Sequence, residues 1–244
     1  MLKRINLSVF RFQQFTIVQS KNPLKVGTDS MLLGSSINPI GAKIALDIGA
    51  GTGVLSLMVL QKNPKIQLDA VEIHSEAAEE CSLNFVNSPW GNAATVHALD
   101  FLDFHPSKQY DLIFSNPPFY LDGLKSGDKS MDRAKHISRD VYEQFIHKTS
   151  ELLSDDGRFY IIVPWSQLDY LCKIAIENRL HLLEKITIHS TKEKLNTRVI
   201  LVFSKRKEPI IQSEFTIRLT VGGYTPEYIA LTKQYHAIDL SEKH

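Results

Sequence analysis

The fold is decided by one stretch of sequence, Ala45-Leu46-Asp47-Ile48-Gly49-Ala50-Gly51-Thr52-Gly53. Its apolar run ends in glycines and continues directly into a second apolar segment, residues 54–60. This pattern predicts a buried parallel strand, a tight turn and a buried helix. Glycines in such a turn let the backbone bend sharply and let a ligand approach the N-terminus of the helix.

The spacing of these glycines argues against a dinucleotide site. Gly49, Gly51 and Gly53 alternate, whereas the dinucleotide fingerprint is G-x-G-x-x-G. Asp47 precedes the turn, and its carboxylate would repel a pyrophosphate but suit a cationic group. An NAD-dependent dehydrogenase is therefore disfavoured, and no catalytic Lys, Tyr or His motif supports one. A glycine-rich turn without any ligand is the alternative for the motif taken alone.

The composition is that of a globular protein with reduced thiols. A length of 244 residues with 43% hydrophobic content suits one large domain, or one domain with appendages. Cys81 and Cys172 have no metal or redox spacing, and the nine histidines form no metal motif, so we expect a cytoplasmic protein without a metal. Since no leader pattern and no long apolar run is present, we expect neither secretion nor a membrane span.

Basic residues are concentrated in segments although the net charge is only +1. Residues 1–28 carry five Lys or Arg and no acid, and residues 185–207 carry seven against the single acid Glu193. A near-neutral protein with such segments can bind a polyanion on one face. Solvated surface lysines are the alternative, and charge alone favours neither interpretation.

Strands and helices alternate after a short hairpin predicted over residues 10–18. Strands are predicted at 44–48, 67–73, 94–99, 110–115, 159–163, 182–189 and 198–204, and helices at 53–62, 75–87, 141–153 and 166–179. A polar stretch, 121–139, lacks apolar periodicity and is expected to be a loop. The alternation predicts a Rossmann-like α/β fold whose sheet is covered by helices on both faces. Because no helix separates the last two strands, we expect seven strands, mostly parallel, with one antiparallel.

Chemically useful side chains stand where the predicted strands end. The glycine turn, Glu72, Asp100 and the run Asn116-Pro117-Pro118-Phe119 follow four of the strands, and ligands of open α/β sheets bind at the carboxyl ends of strands. Glu72 can accept both hydroxyls of a ribose, and Asp100 can accept a hydrogen bond from the amino group of an adenine. A single acid at a strand end is more often a solvated cap. Three acids at strand ends beside a glycine turn, namely Asp47, Glu72 and Asp100, indicate a nucleoside ligand.

The run Asn116 to Phe119 has the residue types that methylation of an exocyclic amine requires. Such an amine is a poor nucleophile, because its lone pair is delocalised into the ring. The Asn116 side-chain oxygen and the Pro117 carbonyl can each accept one N–H of the amine and aim its lone pair. Two prolines hold that carbonyl in place, and Phe119 can stack on the extruded base. A proline-rich turn with an aromatic cover is the alternative.

These motifs together resemble the class I S-adenosylmethionine-dependent methyltransferases that act on exocyclic amino groups. By that resemblance Asp47 and the glycine turn hold the methionine part of S-adenosyl-L-methionine, Glu72 holds the ribose, and Asp100 with Phe101 holds the adenine. The cofactor-binding residues so implied are Thr28, Asp29, Asp47, Gly49, Ala50, Gly51, Gly53, Glu72, Ile73, Asp100, Phe101 and Asn116. The catalytic residues are Asn116, Pro117, Pro118 and Phe119.

A closer resemblance covers nearly the whole chain. Four further segments are similar to the bacterial tRNA(Val) adenine-37 N6-methyltransferase family. They are Phe12-Gln13-Gln14-Phe15-Thr16, Lys25-Val26-Gly27-Thr28-Asp29, Ser88-Pro89-Trp90 and the tail from Tyr224 to Thr232. The resemblance implies methylation of N6 of an adenine beside the anticodon of a tRNA. It also implies that residues 1–42 are an N-terminal extension on the cofactor site, before a methyltransferase domain at 43–244. Phe119 stands where many members have Tyr.

Two other methylation reactions and one non-enzymatic role remain open at this point. Phe119 also occurs in enzymes that methylate N2 of guanine in rRNA. Enzymes that methylate N5 of a protein glutamine share the Asn-Pro-Pro run but carry a helical domain before the fold, for which 42 residues are too short. A non-catalytic RNA-binding module would not need the Asn116 to Phe119 geometry. The basic residues expected to hold tRNA phosphates are Lys3, Arg4, Arg11, Lys125, Lys129, Arg133, Lys135 and Arg139.

Overall fold

The structure is a computed structural model that describes residues 8–20, 25–117 and 129–240, and only the backbone from 129 to 139. In chain order its strands and α-helices are β1 (Val9–Arg11), β2 (Thr16–Val18), α1 (Thr28–Ser36), β3 (Ile44–Ile48), α2 (Val54–Lys62), β4 (Gln67–Glu72), α3 (Ser75–Val86), β5 (Ala94–Ala98), β6 (Tyr110–Ser115), α4 (Lys129–Leu152), β7 (Leu153–Pro164), α5 (Leu168–Glu177), β8 (His181–His189), β9 (Arg198–Ser204), β10 (Ile211–Thr216) and α6 (Pro226–Thr232). The alternation predicted from the sequence is confirmed.

The central sheet of the described chain has the strand order β10-β8-β9-β7-β6-β3-β4-β5. Only β9 runs antiparallel to its neighbours, β7 and β8, which confirms the predicted antiparallel strand. The predicted number of seven strands is wrong, since β10 pairs in parallel with β8 and adds an eighth strand. The side chains of β10 are mostly exposed, so its sequence lacks the apolar run that identifies a buried strand.

Helices cover both faces of this sheet, as a doubly wound fold requires. Successive side chains of a strand point to opposite faces, so Ala45 packs with α1, α2 and α3 while its neighbour Leu46 packs with α4 and α5. The strand β3 therefore lies in the middle of two hydrophobic cores. Its carboxyl end is held between layers that have little freedom to shift.

The hairpin of β1 and β2 is fastened to the glycine turn by one buried asparagine. The Asn84 side chain, on α3, accepts a hydrogen bond from the Val18 N–H (2.8 Å) and donates to the carbonyls of Val18 and Thr52 (2.9 Å each). The antiparallel pairing of β1 with β2 confirms the predicted hairpin. The boundary between residues 42 and 43 stays a prediction.

The segment 121–139 is not wholly a loop as expected, because α4 already begins at Lys129. Residues 129–139 contain Lys, Arg, Met and Ala, which favour helix through intrinsic propensity rather than through an apolar stripe. Periodicity detects a helix only where one face is buried. For that reason it placed the start of this helix near Val141, about three turns too late.

Candidate active site

The glycine turn after β3 needs glycine for conformational reasons. Gly49, Gly51 and Gly53 have φ of 72°, 55° and 78°, in the left-handed region that residues with a Cβ avoid. A Cβ added at Gly49 would meet no atom within 4 Å. The turn is tied to the next strand, because the N–H groups of Gly49 and Ala50 both donate to the Val71 carbonyl. Gly49 therefore faces open space in which a ligand can lie.

Asp47 is fully buried beneath this turn. Its Oδ2 accepts hydrogen bonds from the Ser56 hydroxyl (2.6 Å) and the Ser56 N–H (3.2 Å) in the first turn of α2. Its Oδ1 is buried without a hydrogen-bond partner among the described residues. Burial raises the pKa of Asp47 to about 7, against the opposing effect of the Ser56 donors. In this structure Asp47 holds the turn against α2, and its direct contact with a methionine part stays a prediction.

Glu72, at the end of β4, is also engaged with the backbone. Its Oε2 accepts from the Gly51 N–H (2.8 Å) and its Oε1 from the His74 N–H (2.9 Å). Each carboxylate oxygen has two lone pairs, so both can still accept a ribose hydroxyl. The carboxylate thus joins the end of β4 to the glycine turn.

A first cavity, of about 210 Å³, opens beside the ends of β4 and β5. Its lining is mostly apolar and includes Ile73, Phe101, Tyr142 and Phe145, with Asp100 as its carboxylate. Asp100 Oδ1 accepts from the Leu102 N–H (2.9 Å), which fixes the carboxylate at the start of a short 3₁₀ helix. Apolar walls with one fixed acceptor suit a planar base that carries an amino group.

A second cavity, of about 550 Å³, adjoins the first, because Gly49 and Pro117 line both. The other walls of the second cavity are the glycine turn, the segment 25–30, Asn116 and Arg198. Thr28 and Asp29 line this cavity together with Gly49, Ala50 and Gly51, and their contact with the methionine part stays a prediction. The two cavities form one elongated site along the carboxyl edge of β6, β3 and β4, as the fold requires.

Asn116 lines the second cavity, and the residue after it, Pro117, lines both cavities. Its Nδ2 donates to the Ser30 hydroxyl (3.3 Å), so the amide oxygen is left as the acceptor for a ligand. The preceding Ser115 hydroxyl donates to the Ile48 carbonyl (2.8 Å) and fixes the end of β6 against β3. Pro118 and Phe119, the other predicted catalytic residues, lie outside the described residues.

The residues predicted to bind RNA are only partly described. Lys3, Arg4 and Lys125 lie outside the described residues, Arg11 is exposed at the end of β1, and Lys129, Arg133, Lys135 and Arg139 lie on the first part of α4, described as backbone only. The basic segment 185–207 divides between two edges of the sheet. Its turn 190–197 lies at the carboxyl edge with the cavities, and 205–207 at the opposite edge.

Sequence reasoning missed several residues of this site. Ser30 follows the Lys25 to Asp29 motif directly, and its place near a helix N-terminus was a usable signal. Tyr142 and Phe145 were recognised only as helical core positions. Arg198 gave no local signal, because its place depends on the order of strands in the sheet.

Within residues 8–20, 25–117 and 129–240, no helix is long and apolar enough to cross a bilayer. The same residues contain no group of three or more His, Cys, Asp or Glu that could hold a metal ion.

The doubly wound sheet, the glycine turn and the two adjoining cavities at the ends of its strands define a class I S-adenosylmethionine-dependent methyltransferase. Residues 10–187 match the family model described as Methyltransferase small domain. A crystal structure of a predicted O-methyltransferase from Agrobacterium tumefaciens has the same fold, with a TM-score of 0.66 and 19% identity over 86% of this chain and 98% of that one.

Curated relatives narrow the class to one family. A tRNA1(Val) (adenine(37)-N6)-methyltransferase of Flavobacterium psychrophilum is 38% identical over 93% of this chain and 99% of its own length. One of Bacteroides thetaiotaomicron is 32% identical over 93% of this chain and 96% of its own length. The chain belongs to the tRNA1(Val) (adenine(37)-N6)-methyltransferase family. The predicted enzyme class and the predicted cofactor, S-adenosylmethionine, are confirmed.

Proposed function

We propose that this protein transfers the methyl group of S-adenosylmethionine to N6 of adenine 37 in a valine tRNA. The observation that carries the proposal is the position of Asn116, which Ser30 holds in the wall of the second cavity, next to Pro117, which lines both cavities. The names of the curated relatives support the same base and the same tRNA.

The cavities fit the two ends of the cofactor. The first would take the adenine, with Asp100 accepting from its amino group and Phe101 and Ile73 as apolar walls. Glu72, whose carboxylate joins the end of β4 to the glycine turn, would hold the ribose. The second would take the methionine part against Thr28 and Asp29. When bound, the cofactor supplies a methyl group on a positively charged sulfur.

Asn116 and Pro117 prepare the target nitrogen for attack on that methyl group. The Asn116 side-chain oxygen and the Pro117 carbonyl accept the two N–H groups of the adenine amine. These hydrogen bonds draw the nitrogen out of conjugation and orient its lone pair, so the contribution is made in the transition state. Phe119 would stack on the flipped base. An anticodon-loop base is single-stranded, so flipping costs little.

A basic surface beside the cavities suits the phosphates of the tRNA. The turn 190–197 carries Lys192 and Lys194, both exposed, at the same edge of the sheet as Asn116. Together with Arg11 and the basic start of α4, these lysines would position the anticodon stem without reading its sequence. A tRNA substrate implies a cytoplasmic enzyme.

The decisive experiment is mass spectrometry of nucleosides from tRNA and rRNA of cells with and without this chain. We expect N6-methyladenosine to disappear from valine tRNA in its absence and to return with the wild-type gene but not with Asn116→Ala. Unchanged N6-methyladenosine in tRNA, with loss of N2-methylguanosine from rRNA, would establish the guanine alternative instead.

A further inference from the structure

Two oppositely charged side chains from distant parts of the chain meet at the wall of the second cavity. The Arg198 Nε lies 2.9 Å from Asp29 Oδ2, across 169 residues of sequence. Their side chains are 33% and 25% exposed, so both are reachable from the cavity that they line. The residue motifs that resemble the methyltransferases include Asp29 but not Arg198.

Both charges are held in place by the backbone beneath them. Asp29 lies in the first turn of α1, where the helix dipole favours an acid. Arg198 is the first residue of β9, opposite Pro164 of β7 and Ile188 of β8. Its Nη1 donates to the Thr197 carbonyl (2.9 Å), which fixes the plane of the guanidinium. The pair is therefore part of the wall rather than a contact between two freely moving side chains.

The methionine part of the cofactor is an amino acid, with an ammonium and a carboxylate on the same carbon. A wall with Asp29 alone would attract the ammonium but repel the carboxylate beside it. A carboxylate and a guanidinium side by side match both groups. Guanidinium binds carboxylate through two parallel N–H···O bonds, a geometry that lysine lacks.

We propose that Arg198 binds the carboxylate of the methionine part of the cofactor, while Asp29 binds its ammonium. When the ligand binds, the ion pair between Arg198 and Asp29 is replaced by two ion pairs, one from each side chain to the ligand. The assignment rests on the proposed function, since it requires S-adenosylmethionine in these cavities. Lys25 lines the same cavity, but it is exposed and carries a flexible stem, so it suits the role less well.

Calorimetry with three ligands tests this assignment. The ligands are S-adenosylmethionine, decarboxylated S-adenosylmethionine, which lacks only the carboxylate, and 5′-methylthioadenosine, which lacks the whole amino-acid end. For Arg198→Ala we expect the affinity for S-adenosylmethionine to fall about tenfold to a hundredfold. The affinity for the decarboxylated ligand should stay equal or rise, because Asp29 is released from its pair. Methylthioadenosine should bind as it does to the wild type.

A mirror variant and a matched control complete the experiment. Asp29→Asn should lower the affinity for the decarboxylated ligand by a larger factor than the affinity for S-adenosylmethionine. Lys25→Ala, the control, should leave the ratio of the two affinities unchanged. If Arg198→Ala lowers the affinity for both ligands equally, Arg198 merely orders Asp29. If Lys25→Ala changes the ratio of the two affinities, Lys25 rather than Arg198 binds the carboxylate. Either result overturns the proposal.

Two further observations keep the test decisive. Arg198→Gln preserves the stem of the side chain, so it replaces Arg198→Ala if Arg198→Ala unfolds at a lower temperature than the wild type. The ratio of the affinities for S-adenosylmethionine and its decarboxylated form is expected to change in the same direction. Wild-type protein that binds S-adenosylmethionine but does not methylate tRNA would refute the proposed function and leave this assignment standing. Wild-type protein that does not bind it would refute both.

Discussion

Asn116 illustrates how a single side chain is prepared for chemistry by its neighbour. The Ser30 hydroxyl accepts from its Nδ2 and so leaves the amide oxygen as the acceptor proposed for the target amine. Asn116→Ala should lower the methylation rate by about a hundredfold or more, because the missing hydrogen bond acts in the transition state. Cofactor affinity should change by no more than a few-fold, as measured by calorimetry. A variant that neither folds nor binds the cofactor would make Asn116 structural. Ser30→Ala should show a smaller loss of rate in the same direction.

Asp47 makes the stability of the protein depend on pH. Burial raises its pKa from 3.8 to about 7, so between these values the folded state keeps a proton that the unfolded state releases. The free energy of unfolding contributed by Asp47 should therefore fall as pH rises from about 4 to about 7, by at most about 1.4 kcal/mol per pH unit. Asp47→Asn removes the titration, so its stability relative to the wild type should rise across this window.

Thermal unfolding of the two proteins without cofactor, at several pH values from 5 to 8, measures the Asp47 effect. Ser56→Ala is the matched control, since it keeps the carboxylate but removes its hydroxyl donor, and it should extend the pH dependence to higher pH because the pKa of Asp47 rises further. Parallel pH profiles for the wild type and Asp47→Asn would show that the carboxylate is not protonated in the folded state.

At the scale of the element, α1 is fixed at its C-terminal end by a lysine from α2. The Lys62 ammonium donates to the carbonyls of Gly34 (3.0 Å) and Ser35 (2.7 Å), in the last turn of α1, and to that of Ile37. Burial lowers the pKa of Lys62 to about 8. A cation suits the negative end of the helix dipole, and the three carbonyls lack intrahelical partners. Since α1 carries Thr28, Asp29 and Ser30 at its other end, this contact also positions the site.

Lys62→Met should lower the free energy of unfolding by about 2–3 kcal/mol, because it leaves buried carbonyls without a donor. Lys65→Met is the control, since Lys65 is exposed just beyond the same helix and should change stability by less than about 0.5 kcal/mol. Urea unfolding measures both. If both variants lose the same free energy of unfolding, the positive charge of this region stabilises the protein and the contact with the three carbonyls does not.

Elements with a buried face could be predicted from the sequence, and the others could not. The strand Ile44–Ile48 and the helix after it are apolar on nearly every side, so their hydrophobic pattern follows directly from their burial. The start of α4 and the edge strand β10 have no such pattern. Helical propensity favours the start of α4, and pairing with β8 stabilises β10. Neither effect produces a hydrophobic periodicity in the sequence.

The candidate site shows the same division at the scale of the whole molecule. Glu72, Asp100 and Asn116 could be singled out as candidates because each lies at the end of its own strand or within two residues of it. Arg198 could not, because it reaches the second cavity from a strand that enters the sheet in the opposite direction. Which loops share an edge follows from strand order and direction, which local sequence does not specify.

The direction of β9 also separates the basic residues of the whole molecule into two groups. Lys192 and Lys194 lie in the turn before β9, at the edge with the cavities, and that turn is closed by the hydrogen bond from the Ser190 N–H to the Lys194 carbonyl (3.0 Å). Lys205 and Lys207 follow β9 at the opposite edge, where Lys205 pairs with Asp155 (3.8 Å). Two lysines on each of two opposite edges allow a comparison in which the same number of positive charges is removed at different positions.

Filter binding of tRNA across salt concentrations therefore distinguishes a docking surface from general attraction by positive charge. Replacing Lys192 and Lys194 by Gln should weaken binding and reduce the log–log slope by about 0.7–0.9 for each phosphate that the protein no longer neutralises. Replacing Lys205 and Lys207 by Gln removes the same charge and should leave the slope unchanged. Both double variants should bind S-adenosylmethionine as the wild type does. If the two edges lower the slope equally, or neither does, the tRNA does not dock across the turn beside the cavities, because a directed contact must depend on which edge carries the charge.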